Sequence, residues 1–198
     1  MIKAGATDIV VSDIHGVVHG AREDIVRDGS ENLVWLSERT NKRGVTGTLK
    51  EAVAGADVFI GVSAPNLLTG DDIATMNHDS IVFALANPTP EVNIAAASKN
   101  AAVVASGRSD AANQINNVLV FPGIFRGLID AGTNEVSDDV LVAAAEALAN
   151  IIDREELNPT YIIPSVFNPD VAKVVAAAVR AAALKAQAAS KAQATSTV

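Results

Sequence analysis

"GADVFIGVSAP", residues 55–65, decides the fold. Val58–Val62 is a short, nearly continuous apolar run, closed by the turn residues Ser63 and Pro65. A strand with one wet face alternates polar and apolar residues. A continuous run is the pattern of a strand covered on both faces. The same kind of run recurs at Ile9–Val11, Ile81–Ala86 and Ala102–Ser106. Helix-like segments separate them. Thr48–Val53 opens on a threonine N-cap with Glu51 three residues on, a capping-box pattern. Asp71–Met76 follows Thr69 in the same way, and Ile94–Asn100 is a third. Strand and helix alternate, which predicts an α/β fold: a mostly parallel sheet flanked by helices.

Beyond this stretch the character changes. "NNVLVFPGIFRGLIDA", residues 116–131, reads as a loop running into a glycine-bearing helix. Ser137 is placed to cap a helix over Asp138–Ile152, whose first two acidic residues suit its positive end. Tyr161–Pro164 is a short extended piece. A last helix is expected from Asp170 to about Gln187, with Val171, Val174, Val175, Ala178, Val179 and Ala182 on one face. Residues 185–198 are rich in Ala, Ser and Thr and are expected to fray. A short helix over Glu31–Glu38 carries Trp35, expected to pack rather than to line an adenine site.

Composition narrows the function. The 198 residues suffice for one large or two small domains, and 49% are hydrophobic, enough for a substantial core. With 15 basic and 23 acidic residues the formal charge is -8, which weighs against nucleic acid. Cysteine is absent, so disulfides and thiolate chemistry are excluded. The most apolar late stretch, Val171–Leu184, is broken by Lys173 and Arg180, and no membrane span is expected. No signal-peptide pattern opens the chain, and the cytoplasm is the default.

Four segments can carry chemistry. In "VSDIHG", Asp13 stands just past an apolar run, where a carboxylate can accept hydrogen bonds from ribose hydroxyls and repel a 2′-phosphate. Such an acid normally follows a Gly-rich phosphate loop by about 20 residues. Only twelve residues precede Asp13, and they hold no such loop, so a strand-terminal Asp capping a turn is an equal reading. His15 and His19 are separated by Gly16, which argues against a metal pair. At the end of Val58–Val62, Gly61 would let a cofactor approach the backbone and Ser63 offers a hydroxyl. An ordinary strand-to-helix turn accounts for the same residues. In "FALANPTPE", Asn87 ends a strand and is held extended by Pro88, its amide able to donate to a carboxylate or carbonyl. A turn-forming Asn-Pro is the alternative. Finally Asn113, Gln114, Asn116 and Asn117 follow a strand within five residues, beside the apolar Val118–Phe121. Partial burial of that cluster would be costly unless it binds something.

Taken together, "GTLKEAVAGADVFIGVSAPNLLT", "IVFALANPTPE", "VVASGRSDAANQINNVLVFPGIFRG" and "IIPSVFNPDVAKVVAAAVRAAA" resemble the C-terminal, cofactor-binding part of bacterial-type malic enzymes, over roughly residues 1–184. The resemblance implies a Rossmann-type, doubly wound sheet and oxidative decarboxylation of L-malate to pyruvate and CO2. It also implies reduction of NAD, with NADP possible, and use of Mg²⁺ or Mn²⁺ in a homo-oligomeric enzyme. By motif, Asn87 and Asn116 are implied to contact malate or pyruvate oxygens and the nicotinamide side, with Asn117 as support. Asp13 is implied to hold the ribose, and Gly61, Val62 and Ser63 to border the dinucleotide.

The family's first strand and Gly-rich loop, its metal carboxylates and its catalytic Tyr and Lys lie ahead of this stretch. The chain alone is therefore expected not to oxidise malate and to bind dinucleotide weakly at best. "MIKAGA" is expected to be the tail of the helix after the phosphate loop. Tyr161 and Lys173 do not match the catalytic positions, so no residue here is expected to be catalytic or a metal ligand. Ala111, Ala112 and Val120 depart from the family's usual residues. Arg22 lies near enough to Asp13 in sequence to meet a phosphate, which leaves NAD against NADP open. Two other readings stay open: a non-catalytic dinucleotide-binding or assembly module, and another hydroxy- or amino-acid dehydrogenase of the same fold.

Overall fold

The structure is a computed structural model describing residues 1–196. It divides into two compact units, Met1–Gly107 and Arg108–Val198.

The first unit holds the strand-and-helix alternation. A hairpin of β1 (Ser12–Asp13) and β2 (Gly16–Val17) is followed by α1 (Glu23–Asp28) and α2 (Glu31–Arg39). Then come α3 (Leu49–Val53), β3 (Val58–Gly61), α4 (Gly70–Ile73), β4 (Ile81–Ala84), α5 (Ile94–Ala97) and β5 (Val103–Ser106). The last three strands form a parallel sheet in the order β3-β4-β5. Gly61 pairs with Ala84 and Ala84 with Ser106, so the carboxyl ends of all three strands lie in one row. Val82, Ala84, Ile73 and Val92 are almost fully buried beside Phe59, Leu68 and Val104. Each large side chain of this kind contributes about 1.5–3 kcal/mol by leaving water. Both expected capping boxes are present, Thr48 with Glu51 and Thr69 with Asp72.

Three expectations for this unit fail. Ile9–Val11 is not a strand of the sheet. Its carbonyls are taken outside the sheet, Ile9 by the Asn41 N–H at 2.6 Å and Val11 by the Val18 N–H at 2.8 Å. Asp13 therefore ends a two-residue hairpin strand rather than the second strand of a parallel sheet. "MIKAGA" is a turn closed by Gly5 N–H to the Ile2 carbonyl, with Gly5 at φ 96. Nor is β3 covered on both faces. It is an edge strand, and the exposed Val58 and Ile60 alternate with the buried Phe59 and Gly61.

The second unit is helical. A 3-10 turn at Asn117–Leu119 leads into α6 (Phe121–Ala131), then α7 (Asp138–Ala149) and α8 (Val171–Ser196). Its core joins Leu119, Ile124 and Leu128 to Val140, Ala144, Val171, Val175 and Val179. A Cβ on Gly123 would stand 2.6 Å from the Val175 Cβ, and one on Gly127 would stand 2.6 Å from the Ala176 carbonyl oxygen. The two glycines let α6 lie directly on the backbone of α8. Gly132, in the left-handed region at φ 66, ends α6. The last helix does not stop near Gln187 but continues to Ser196, because Ala, Lys and Gln sustain a helix well. The expected fraying tail is thus helical through Ser196, and residues 197–198 lie outside the described residues. Among the described residues no helix is long and apolar enough to cross a membrane.

Candidate dinucleotide site

Ligands of open α/β sheets bind beyond the carboxyl ends of the strands. Here those ends lead into the loops carrying Ser63 and Asn87, and into Gly107. Val62 is 76% exposed, and Ser63 and Asn87 are exposed as well. The Asn87–Pro88 peptide is cis. The Asn87 amide makes no hydrogen bond among the described residues, and a Cβ on Gly107 would meet open space.

The sequence reading missed the residue that organises this edge. Glu91 has no exposed surface at all. One carboxylate oxygen accepts from the Ser63 N–H at 2.9 Å, the other from the Ala86 N–H at 3.0 Å. A backbone bond from Leu85 N–H to the Gly61 carbonyl, 2.9 Å, carries the β3–β4 pairing just past the strand ends. Glu91 takes over from there. It also explains Gly61. A Cβ at that position would stand 2.4 Å from the Glu91 Cδ, so the space read as an approach for cofactor is filled by the carboxylate. The only hint in the sequence was an acidic residue following the Pro-rich turn "NPTPE".

Asp13 sits in a second polar arrangement of the same unit. Its carboxylate receives the Arg22 guanidinium through both oxygens, at 2.8 and 2.6 Å, and the His15 N–H at 2.8 Å. That occupies three of the roughly four acceptor positions of a carboxylate, leaving room for one further donor. The hydrogen-bonded Arg22 guanidinium holds the Asp13 carboxyl below the usual carboxylate range, as it does that of Asp24. Arg22 is buried, and all five of its N–H donors are engaged. Two meet Asp13, two meet Asp24 at 2.8 and 2.9 Å, and one meets the Gly16 carbonyl at 3.2 Å. Trp35 is half exposed, with the Arg39 guanidinium 4.9 Å above its ring centroid.

The amide cluster lies in the other unit and does not form one buried group. Asn113 is buried, at φ 55, and fully employed in structure. It donates to the Pro159 carbonyl at 2.8 Å and accepts from the Ile162 N–H at 3.0 Å. Asn116 is exposed and caps the 3-10 turn by accepting from the Val118 N–H at 3.1 Å. Asn117 is exposed, the first residue of that turn. The expected cost of burying four amides is avoided by burying one and satisfying it with backbone.

The structure thus brings Gly61, Val62, Ser63 and Asn87 together at one sheet edge around Glu91. Asp13 stands in its own ion-paired hairpin. Among the described residues no group of three or more His, Asp or Glu is placed to hold a metal ion, so they do not supply the donor set of a divalent cation.

The family model for the NAD-binding domain of malic enzyme matches residues 2–184. The chain belongs to the malic enzyme family. It is 46% identical over 188 residues to the NAD-dependent malic enzyme of Geobacillus stearothermophilus, covering 93% of this chain and 38% of that protein. It is 40% identical to the bifunctional malic/malolactic enzyme of Bacillus subtilis, over 91% of this chain and 44% of that one. Among solved structures, the Entamoeba histolytica malic enzyme superposes with a TM-score of 0.87 at 36% identity, covering 94% of this chain and 39% of its own. The chain spans less than half the length of these malic enzymes, and the Rossmann-type reading of its α/β fold holds.

Proposed function

We propose that this chain is the dinucleotide-binding part of an enzyme that oxidises L-malate and releases pyruvate and CO2, with NAD rather than NADP as acceptor. The family membership supports the reaction class. The arrangement at Arg22 supports the choice of acceptor. A 2′-phosphate needs cationic donors, and the nearest candidate has none to offer, its five N–H groups being spent on Asp13, Asp24 and Gly16. Asp13 meets the adenosine ribose with its one remaining acceptor position, so it takes a single hydroxyl rather than two. Its anionic form is favoured by Arg22, and a second negative group beside it is repelled.

Val62 offers an apolar surface to the cofactor, with Ser63 beside it. Asn87 donates from its unengaged amide to the substrate or the nicotinamide carboxamide. Asn116, in the helical unit, keeps its NH2 group unengaged while its oxygen caps a turn, with Asn117 next to it. The bound dinucleotide supplies the hydride acceptor. A homo-oligomer acting in the cytoplasm completes the reading.

Calorimetric titration of the chain with NAD and with NADP tests it. NAD is expected to bind more tightly, by about tenfold or more. Equal affinity, or a preference for NADP, would overturn the assignment of Asp13 and Arg22. Malate turnover by the chain alone at an ordinary enzymatic rate would overturn its role as the cofactor-binding part only.

A further inference from the structure

Glu91 is the one carboxylate in the first unit that is wholly buried, and among the described residues it is held by no cation. Burying a carboxylate is expensive, and two backbone N–H groups are its compensation. Joining the two loops does not require it. The Asn66 N–H already meets the Pro90 carbonyl at 3.0 Å, and the Leu68 N–H meets the Glu91 carbonyl at 3.0 Å. What the side chain adds is orientation. It reaches the Ser63 peptide with one oxygen and the Ala86 peptide, next to Asn87, with the other. Both loops are then turned by one rigid planar group, seated in the space that Gly61 leaves open.

We propose that Glu91 is a positioning residue that couples the loop after β3 to the loop after β4, and through them sets dinucleotide affinity; this rests on the dinucleotide reading above. Glu91 touches no ligand. It presents Ser63 and Asn87 in a fixed mutual arrangement, so that binding does not first have to order two independent loops. Glutamine keeps the shape but replaces one acceptor oxygen with an NH2 donor, so one of the two amides loses its partner. Aspartate, one methylene shorter, cannot reach both.

The test uses the full chain and the variants Glu91→Gln and Glu91→Asp, with Val82→Ala as a control that loosens the core under β4 without touching the carboxylate. NAD affinity is read by calorimetry, stability by thermal melting, and amide exchange at Ser63 and Ala86 by NMR. Glu91→Gln is expected to weaken NAD binding by roughly ten- to a hundredfold. That loss should exceed the loss in Val82→Ala at an equal drop in melting temperature, and exchange should speed up along both loops together. Unchanged NAD affinity in Glu91→Gln, or a loss no larger than that of Val82→Ala, overturns the proposal. If the unaltered chain binds no NAD, the functional reading falls and exchange alone decides the coupling. Loosening of both loops in Glu91→Gln then supports it, and loosening confined to one amide overturns it.

Discussion

The two units of this chain are fastened by opposite means. In Met1–Gly107 a hydrophobic core under the sheet is supplemented by buried polar groups. Glu91 ties the strand-end loops, Arg22 ties the hairpin to α1, and Asn41 bridges the Val18 and Val45 carbonyls at 3.2 and 2.7 Å. In Arg108–Val198 the fastening is mostly apolar, valine and alanine on α8 against glycine and leucine on α6. The polar fastenings hold irregular backbone, which cannot satisfy its own hydrogen bonds. The apolar ones hold regular helices, which can. The first unit therefore supplies exposed loops of fixed geometry, as a binding edge needs, while the second supplies packing.

The largest expected effect attacks the apolar side of this contrast. Gly127→Val would drive its Cβ toward the Ala176 carbonyl and the Val179 side chain, 2.6 and 2.7 Å away. Two helix backbones cannot both yield, so a cost of about 3 kcal/mol or more is expected, read as a lowered urea midpoint. A cost below about 1 kcal/mol would mean that α6 and α8 are not in the close packing described. NAD affinity should be affected far less than by Glu91→Gln.

Next comes the polar side. Arg22→Met retains much of the side chain's bulk and removes the donors that Asp13, Asp24 and Gly16 share. Loss of about 1–3 kcal/mol is expected, again from urea unfolding. The same pair predicts a pH dependence. Asp13 has a folded pKa below its unfolded value of about 3.9, so its stabilisation is complete above that value. It is lost as pH falls through the lower folded pKa. The melting temperature should therefore drop on acidification below about pH 4, and Arg22→Met should remove part of that drop. Identical acid limbs in the two proteins would show that the hairpin pair contributes nothing.

This contrast also explains what the sequence could reveal. Continuous apolar runs located β3, β4 and β5, because each run carries the side chains that the core takes, although in β3 only Phe59 and Gly61 are buried while Val58 and Ile60 are exposed. Capping boxes located α3 and α4, because Thr and an acidic residue three apart, Glu51 or Asp72, have a local geometry. Ile9–Val11 looked the same as those runs, yet its backbone is claimed by Asn41 and Val18, partners that no window around it contains. Glu91 and Arg22 were illegible as organisers for the same reason. Glu91 acts on Ser63, far back in the chain, and Arg22 on a hairpin that no apolar pattern announces. Four amides close in sequence do not share one burial state: the structure buries Asn113 and exposes Asn116 and Asn117.

The smallest expected effects compare one kind of fastening across both units. Thr48 caps α3 reciprocally. It accepts from the Glu51 N–H at 3.3 Å, while Glu51 accepts from the Thr48 N–H at 2.7 Å and its hydroxyl at 2.9 Å. Ser137 caps α7 with a single bond from the Val140 N–H at 3.4 Å. A five-residue helix cannot nucleate itself and leans on its cap. A twelve-residue helix packed along α8 has other support. Thr48→Ala should therefore cost about 1 kcal/mol and Ser137→Ala about 0.5 kcal/mol, measured side by side as shifts in the urea midpoint. If Ser137→Ala proves the costlier of the two, the helical unit depends on polar fastening more than its apolar core suggests.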